Sequence, residues 1–160
     1  LLAFALRSDG WYLRSDIIWQ KGNAMPESVK DRPTRSYEHI FLFSKSRRYY
    51  YDSFSIAEPA ITKNKSLDDI NFSPFRNCRD VWNINTTPYK GDFFAAYPVE
   101  LAERCILAGC PEDGVVIDPF FGSGTTGLAA AKNNRSFIGI EINPKNCLLA
   151  AERIGEIGYY

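Results

Sequence analysis

The chain has 160 residues, 45% of them hydrophobic and 24% charged, and its formal charges cancel to zero. That length holds one domain with a real core, and the composition is that of an ordinary globular chain, not a disordered or fibrous one. No apolar run reaches membrane-spanning length, and the opening LLAFALRSDG lacks the basic region and small-residue cleavage site of a secretion signal. Four cysteines (Cys78, Cys105, Cys110, Cys147) without a CxxC pair, beside a single histidine, argue against a zinc site and read as reduced thiols of a cytoplasmic protein.

In chain order, Leu1 to Arg7 reads as the end of a helix stopped by Ser8-Asp9-Gly10. Trp11 to Lys21, rich in aromatic and β-branched residues, reads as a strand, and Tyr37 to Lys45 as a second one antiparallel to it. Between them, Asn23 to Ser36 holds two prolines and scattered charges and is expected to be an exposed loop. The run Arg47-Arg48-Tyr49-Tyr50-Tyr51 combines cations with aromatic faces. Such a run either tracks phosphates and stacks on bases or simply ends a strand with solvated arginines. Residues 52–90 show little periodicity, contain Pro59, Pro74 and Pro88, and are expected to form a mostly irregular insert.

Pro98 suits the first turn of a helix that Glu100 and Glu103 favour at its positive end, with Leu101, Cys105 and Ile106 along one face. Gly109 and Pro111 end it. Val115, Val116 and Ile117 then make a short β-branched run of the kind buried in a parallel sheet, followed by Asp118 and a turn with Gly122 and Gly124. Thr125 to Lys132 reads as a helix, with Asn133 or Asn134 ending it in the left-handed region. Phe137 to Ile140 reads as a strand that ends at Glu141. Asn143 and Pro144 cap and open a last helix, with Leu148, Ala151 and Ile154 on its core side.

Strand, glycine turn, helix, strand and acidic end make half a Rossmann-like unit, with the Glu141 carboxylate placed to accept hydrogen bonds from a ribose. The glycine spacing departs from GxGxxG, which argues against a dinucleotide. Charge is graded along the chain: residues 1–50 carry nine Lys or Arg against five Asp or Glu, and residues 91–160 carry five against nine. A basic first third suits phosphates and an acidic last third suits a sulfonium-bearing cofactor, although random scatter explains the counts equally well.

Asp118-Pro119-Phe120-Phe121-Gly122-Ser123-Gly124-Thr125-Thr126 resembles the DPFxGSGTT cofactor motif of amino-methylating DNA methyltransferases that use S-adenosylmethionine (SAM). Gly10 to Arg14, Ile17 to Trp19, Lys21, Asn23, Met25 to Ser28, Asp31 to Ser36, Glu38 and Phe41 to Ser46 match that family's GWxLRxDIIWxKxNxMPES…DRPTRSxE…FLFxKS segment. Phe93-Phe94-Ala95-Ala96-Tyr97-Pro98 resembles its HFAxFP segment beside SAM, with Phe93 where histidine is usual. The order of these segments is that of the permuted β-class N4-cytosine and N6-adenine DNA methyltransferases.

The resemblance implies an α/β, partial Rossmann-like methyltransferase fold with an antiparallel hairpin (residues 1–46), a target-recognition insert (47–90) and a SAM-binding part (91–160) in one truncated domain. It implies SAM contacts at Phe93, Ala95, Tyr97, Asp118, Pro119, Phe120, Gly122, Ser123, Gly124, Thr125 and Thr126, and ribose binding by Glu141, Ile142 and Asn143. Double-stranded DNA is the implied substrate, with Arg47, Arg48, Lys63, Asn64, Lys65, Arg76, Asn77 and Arg79 as donors in reach of it. The resemblance also implies an origin in a bacterium, an archaeon or a phage.

The family's catalytic tetrapeptide, (D/N/S)-P-P-(Y/F/W), is absent from the 160 residues. Asp118-Pro119-Phe120-Phe121 runs straight into the glycine turn, and Pro88-Tyr89 lacks the first proline. In the family's seven-stranded sheet the strand bearing that tetrapeptide lies beside the strand that here ends at Asp118. The chain is therefore expected to be a truncated or split product, inactive alone, with two halves sharing no continuous ladder and needing a complementing chain or a homo-oligomer. Two other readings stay open: a non-catalytic module that binds SAM or DNA and regulates a partner, and an RNA or protein methyltransferase.

Overall fold

The computed structural model describes residues 1–60, 73–87 and 97–155. A short helix α1 (Leu2–Ser8) leads into a strand pair, β1 (Tyr12–Gln20) and β2 (Tyr37–Ser44), which run antiparallel with Ile17 opposite Ile40 and Trp19 opposite Glu38. Two two-residue strands, β3 (Glu58–Pro59) and β4 (Phe75–Arg76), pair with each other, and β5 (Val81–Asn83) joins β1 in parallel. Helix α2 (Val99–Gly109) precedes the parallel pair β6 (Val115–Asp118) and β7 (Ser136–Gly139), connected by α3 (Thr125–Lys132), and α4 (Pro144–Gly155) follows. These elements fit an α/β methyltransferase fold.

The strand and helix expectations hold to within a residue or two, with one exception. Within the described part of the mostly irregular stretch 52–90, β5 is an ordered strand that carries core. Trp82-Asn83-Ile84-Asn85 alternates with the period of a strand, and that short alternation is the available signal. Trp82 and Ile84 are 3% and 1% exposed. The indole N–H of Trp19 donates to the Ile84 carbonyl at 2.8 Å, so a side chain adds to the backbone pairing of β1 and β5.

Two further corrections concern helix faces. On α2 the buried residues are Leu101, Ala102, Ile106 and Ala108, while Cys105 is exposed. On α4 they are Ala150 and Ile154, whereas Leu148 is 73% exposed. Both the 148–151–154 and the 150–154 stripes have helical spacing; the second is buried because the backbone of Gly124 sits directly on Ala150. Only a small side chain leaves room for that approach.

The described strands form three separate sheets, β2-β1-β5, β3-β4 and β6-β7. Helix α2 unites the two larger ones. Its Leu101 belongs to one core with Ile17, Trp19, Trp82 and Ile84, and its Ala102 and Ile106 belong to another with Ala129 and Ala130 of α3. Tyr97, just before α2, packs against both cores. The loop leaving α2 is tied down by the buried Arg135, whose guanidinium donates to the Cys110 carbonyl at 3.2 and 3.3 Å.

Replacing Trp82 by Ala deletes the largest side chain of β5 from this core and is expected to cost about 3 to 5 kcal/mol. Urea unfolding followed by circular dichroism measures it, and a loss under about 1 kcal/mol contradicts the placement of β5.

Candidate cofactor site

Strands β6 and β7 run parallel and end together, Asp118 beside Gly139, so their carboxyl ends open on one edge. In open α/β sheets ligands bind outside such ends. The chain turns there through Pro119 to Gly124. Gly124 has φ +79° and begins α3, a conformation that costs a residue with a Cβ and comes freely to glycine. Asn134 closes the same helix with φ 56°, as its sequence position suggests.

Beneath the turn lies Phe121, stacked on Phe137 at 5.7 Å between centroids. A Cβ on Gly139 would come within 2.4 Å of the Phe121 ring, so glycine at that strand position is what admits the ring. Phe121 is therefore a packing residue, while its neighbour Phe120 is 87% exposed.

The two acidic residues hold the turn from opposite sides. Asp118 accepts the Phe120 N–H at 2.9 Å through one oxygen and the Thr126 hydroxyl through the other, with the Tyr97 hydroxyl 3.4 Å from that second oxygen. The Thr126 and Tyr97 hydroxyls are also bonded to each other. Burial pushes the Tyr97 phenol above its ordinary range, and the negative charge of Asp118 adds to the effect. Tyr97 is thus a neutral donor at neutral pH.

Glu141 accepts the Asn143 N–H with one oxygen and the Gly122 N–H with the other, both at 2.8 Å. These bonds, that from Asn143 first, lower its carboxyl below the ordinary 4.5. The Asn146 side chain and the Ile142 N–H act in the same direction. Asn143 also caps α4, its side-chain oxygen accepting the Lys145 N–H at 3.0 Å. Ile142, between Glu141 and Asn143, is 97% exposed.

The remaining expected cofactor residues divide. Ser123 and Thr125 are 2% and 3% exposed, and both hydroxyls accept hydrogen bonds from Arg153 of α4. They face inward, away from the open edge at which a ligand would sit. Phe93 and Ala95 lie outside the described residues, as do Lys63, Asn64 and Lys65 among the candidate DNA donors.

Of the other candidate donors, Arg47, Arg48 and Asn77 are exposed. Arg76 and Arg79 instead converge on Glu58 at 3.3 and 3.2 Å, which uses them to join β3, β4 and the segment before β5. Charge neutralised by a near carboxylate is poorly placed for phosphate, and the geometry favours a structural role for this pair. Arg14 was not singled out by sequence reasoning. Its guanidinium donates to the carbonyls of Ser46 and Arg47 at 2.7 and 2.8 Å and lies over the Tyr12 and Tyr49 rings, so it shapes the turn that presents Arg47 and Arg48. Its signal was a cation in alternation with aromatics on β1.

A glycine turn thus lies between two acidic residues at the open edge of an α/β sheet. A family model described as DNA methylase, of the N6/N4 methyltransferase type, matches residues 1–152, and the chain belongs to that family. It is 55% identical over 153 residues to the type II methyltransferase M.SmaI of Serratia marcescens, a match covering 96% of this chain and 50% of that protein. It is 52% identical to the type II methyltransferase M.XycI of Xanthomonas campestris pv. cyanopsidis, covering 96% of this chain and 48% of that one. The chain thus spans about half the length of these curated relatives. Among solved structures, the M1.HpyAVI-SAM complex superposes with a TM-score of 0.73 at 24% identity, over 96% of this chain and 67% of the other, and so shares the fold.

Two outcomes follow from the geometry. Because the Glu141 carboxyl is depressed, its bonds to the Gly122 and Asn143 amides are complete above pH 4.5 and are lost as pH falls through the lower folded value. Amide shifts of Gly122 and Asn143 followed by NMR check this, and a midpoint at or above 4.5 contradicts it. Gly139→Ala forces a methyl against Phe121 and is expected to cost about 1 to 3 kcal/mol in urea unfolding.

Proposed function

We propose that this chain is the cofactor-binding part of a site-specific, amino-methylating DNA methyltransferase, holding SAM at the carboxyl ends of β6 and β7. One observation carries the reading: two carboxylates, Asp118 at the end of β6 and Glu141 two residues past β7, hold a glycine turn from either side. The residues present fit the group. Glu141 presents a carboxylate at this edge for sugar hydroxyls, and Phe120 and Ile142 offer exposed apolar surface for a base. Asp118 supplies negative charge for the cationic end of the cofactor, and the Asp118–Tyr97–Thr126 network keeps that carboxylate oriented. When bound, the cofactor supplies a methyl group on a sulfonium, an electrophile for a base amine.

The acceptor is an exocyclic amine of adenine or cytosine in duplex DNA, whose lone pair is delocalised into the ring. Such a base has to be flipped out of the stack and held in line with the methyl group. Arg47 and Arg48, exposed on the turn that Arg14 shapes, are assigned to the DNA backbone. The family's tetrapeptide that grips the amine is not among these 160 residues. We therefore assign the methyl donor to these residues and the grip on the amine to a segment outside them, in a restriction-modification methyltransferase of a bacterial cytoplasm.

Calorimetry with SAM and tritium transfer from labelled SAM to duplex DNA test the two halves of this reading. The chain is expected to bind SAM, and Glu141→Ala to weaken binding at least about tenfold. No transfer is expected until a polypeptide carrying the tetrapeptide is added. Transfer by the chain alone overturns the division of labour, and absence of SAM binding overturns the cofactor assignment.

A further inference from the structure

We propose that Arg153, in the last turn of α4, is a positioning residue for the cofactor loop; this rests on the SAM reading above. Arg153 is half-buried, and its Nη1 donates to the Ser123 carbonyl at 3.1 Å, the Ser123 hydroxyl at 3.2 Å and the Thr125 hydroxyl at 2.9 Å. A single charged nitrogen shared among three acceptors fixes both hydroxyls and one carbonyl of the turn. The intervening residue is held by the same helix. A Cβ on Gly124 would lie 2.9 Å from the Ala150 Cβ and 3.3 Å from Ile154 Cδ1. Ala150, Arg153 and Ile154, spaced i, i+3 and i+4, thus form one face of α4 that grips three consecutive residues of the loop.

The consequence is a division of roles within the GSGTT sequence. Ser123 and Thr125 turn their hydroxyls inward to Arg153, and Thr126 bonds to Asp118. The outward side of the turn is left to backbone and to Phe120. Since Gly124 occupies a left-handed conformation, the turn keeps one shape only if its neighbours over-determine it, and Arg153 supplies that constraint. A pre-shaped loop loses less conformational freedom when a ligand binds, so Arg153 raises affinity without touching the ligand. Helix α4 acts at both ends of the site: its start carries Asn143 next to Glu141, and its end carries Arg153.

The test measures SAM affinity by calorimetry and the thermal midpoint by circular dichroism on the same 160-residue chain. Arg153→Met is expected to weaken SAM binding about tenfold, and Arg153→Lys, which keeps a charged donor, to recover at least about threefold of that. In a Ser123→Ala/Thr125→Val background the Arg153→Met change should matter clearly less than in the parent, because two of its three acceptors are gone while the Ser123 carbonyl remains. If Arg153→Met lowers the thermal midpoint yet leaves affinity within about twofold of the parent, the role is merely structural and the inference falls. Additive losses in the triple variant overturn it as well. If Arg153→Met does not fold, Arg153→Lys and the hydroxyl double variant decide the matter, since unchanged affinity in both is incompatible with the proposal. A parent chain that fails to bind SAM overturns the cofactor reading and this inference with it, whereas a parent that binds beside an unaffected Arg153→Met overturns this inference alone.

Discussion

Helix α2 has to belong to two cores at once, and the arrangement of the described residues depends on that. The β2-β1-β5 sheet and the β6-β7 pair share no hydrogen-bonded ladder, so no strand register sets one against the other. What relates them is apolar contact, non-directional and proportional to area, through Leu101 on one side of α2 and Ala102 and Ile106 on the other. Tyr97 continues both contacts and then reaches Asp118 with its hydroxyl. The segment that enters the helix joining the halves therefore reaches the acidic residue on which the site is built.

The site is rigid where its chemistry needs shape and open where it needs access. Its acidic residues spend part of their hydrogen-bonding capacity on the loop itself: Asp118 on Phe120, Thr126 and Tyr97, and Glu141 on Gly122 and Asn143. The side chains left outward are apolar and nearly fully exposed, Phe120 and Ile142. Isolated apolar exposure is ordinary on a protein surface.

Outer faces complete the description. The β6-β7 pair buries Val116 and Phe137 against α2 and α3, while Val115, Ile117 and Ile138 on the opposite face are 59%, 63% and 54% exposed. Parallel strands are otherwise found covered on both faces.

The sequence by itself determined the elements and the character of the site. Its glycine turn, with Asp118 before it and Glu141 at the next strand end, is local in the chain, because a βαβ unit places its own ligand edge by short-range geometry. The helices at 99–109 and 125–132 were equally legible, since caps, prolines and glycines act within a few residues. The tertiary structure alone decided the partners. That Arg76 and Arg79 meet Glu58, that Arg14 shapes the turn bearing Arg47, and that Arg153 takes the hydroxyls of Ser123 and Thr125 are contacts between residues 18 to 33 positions apart. A polar side chain reads the same in sequence whether it faces a ligand or an arginine from a distant helix, and only packing chooses between them.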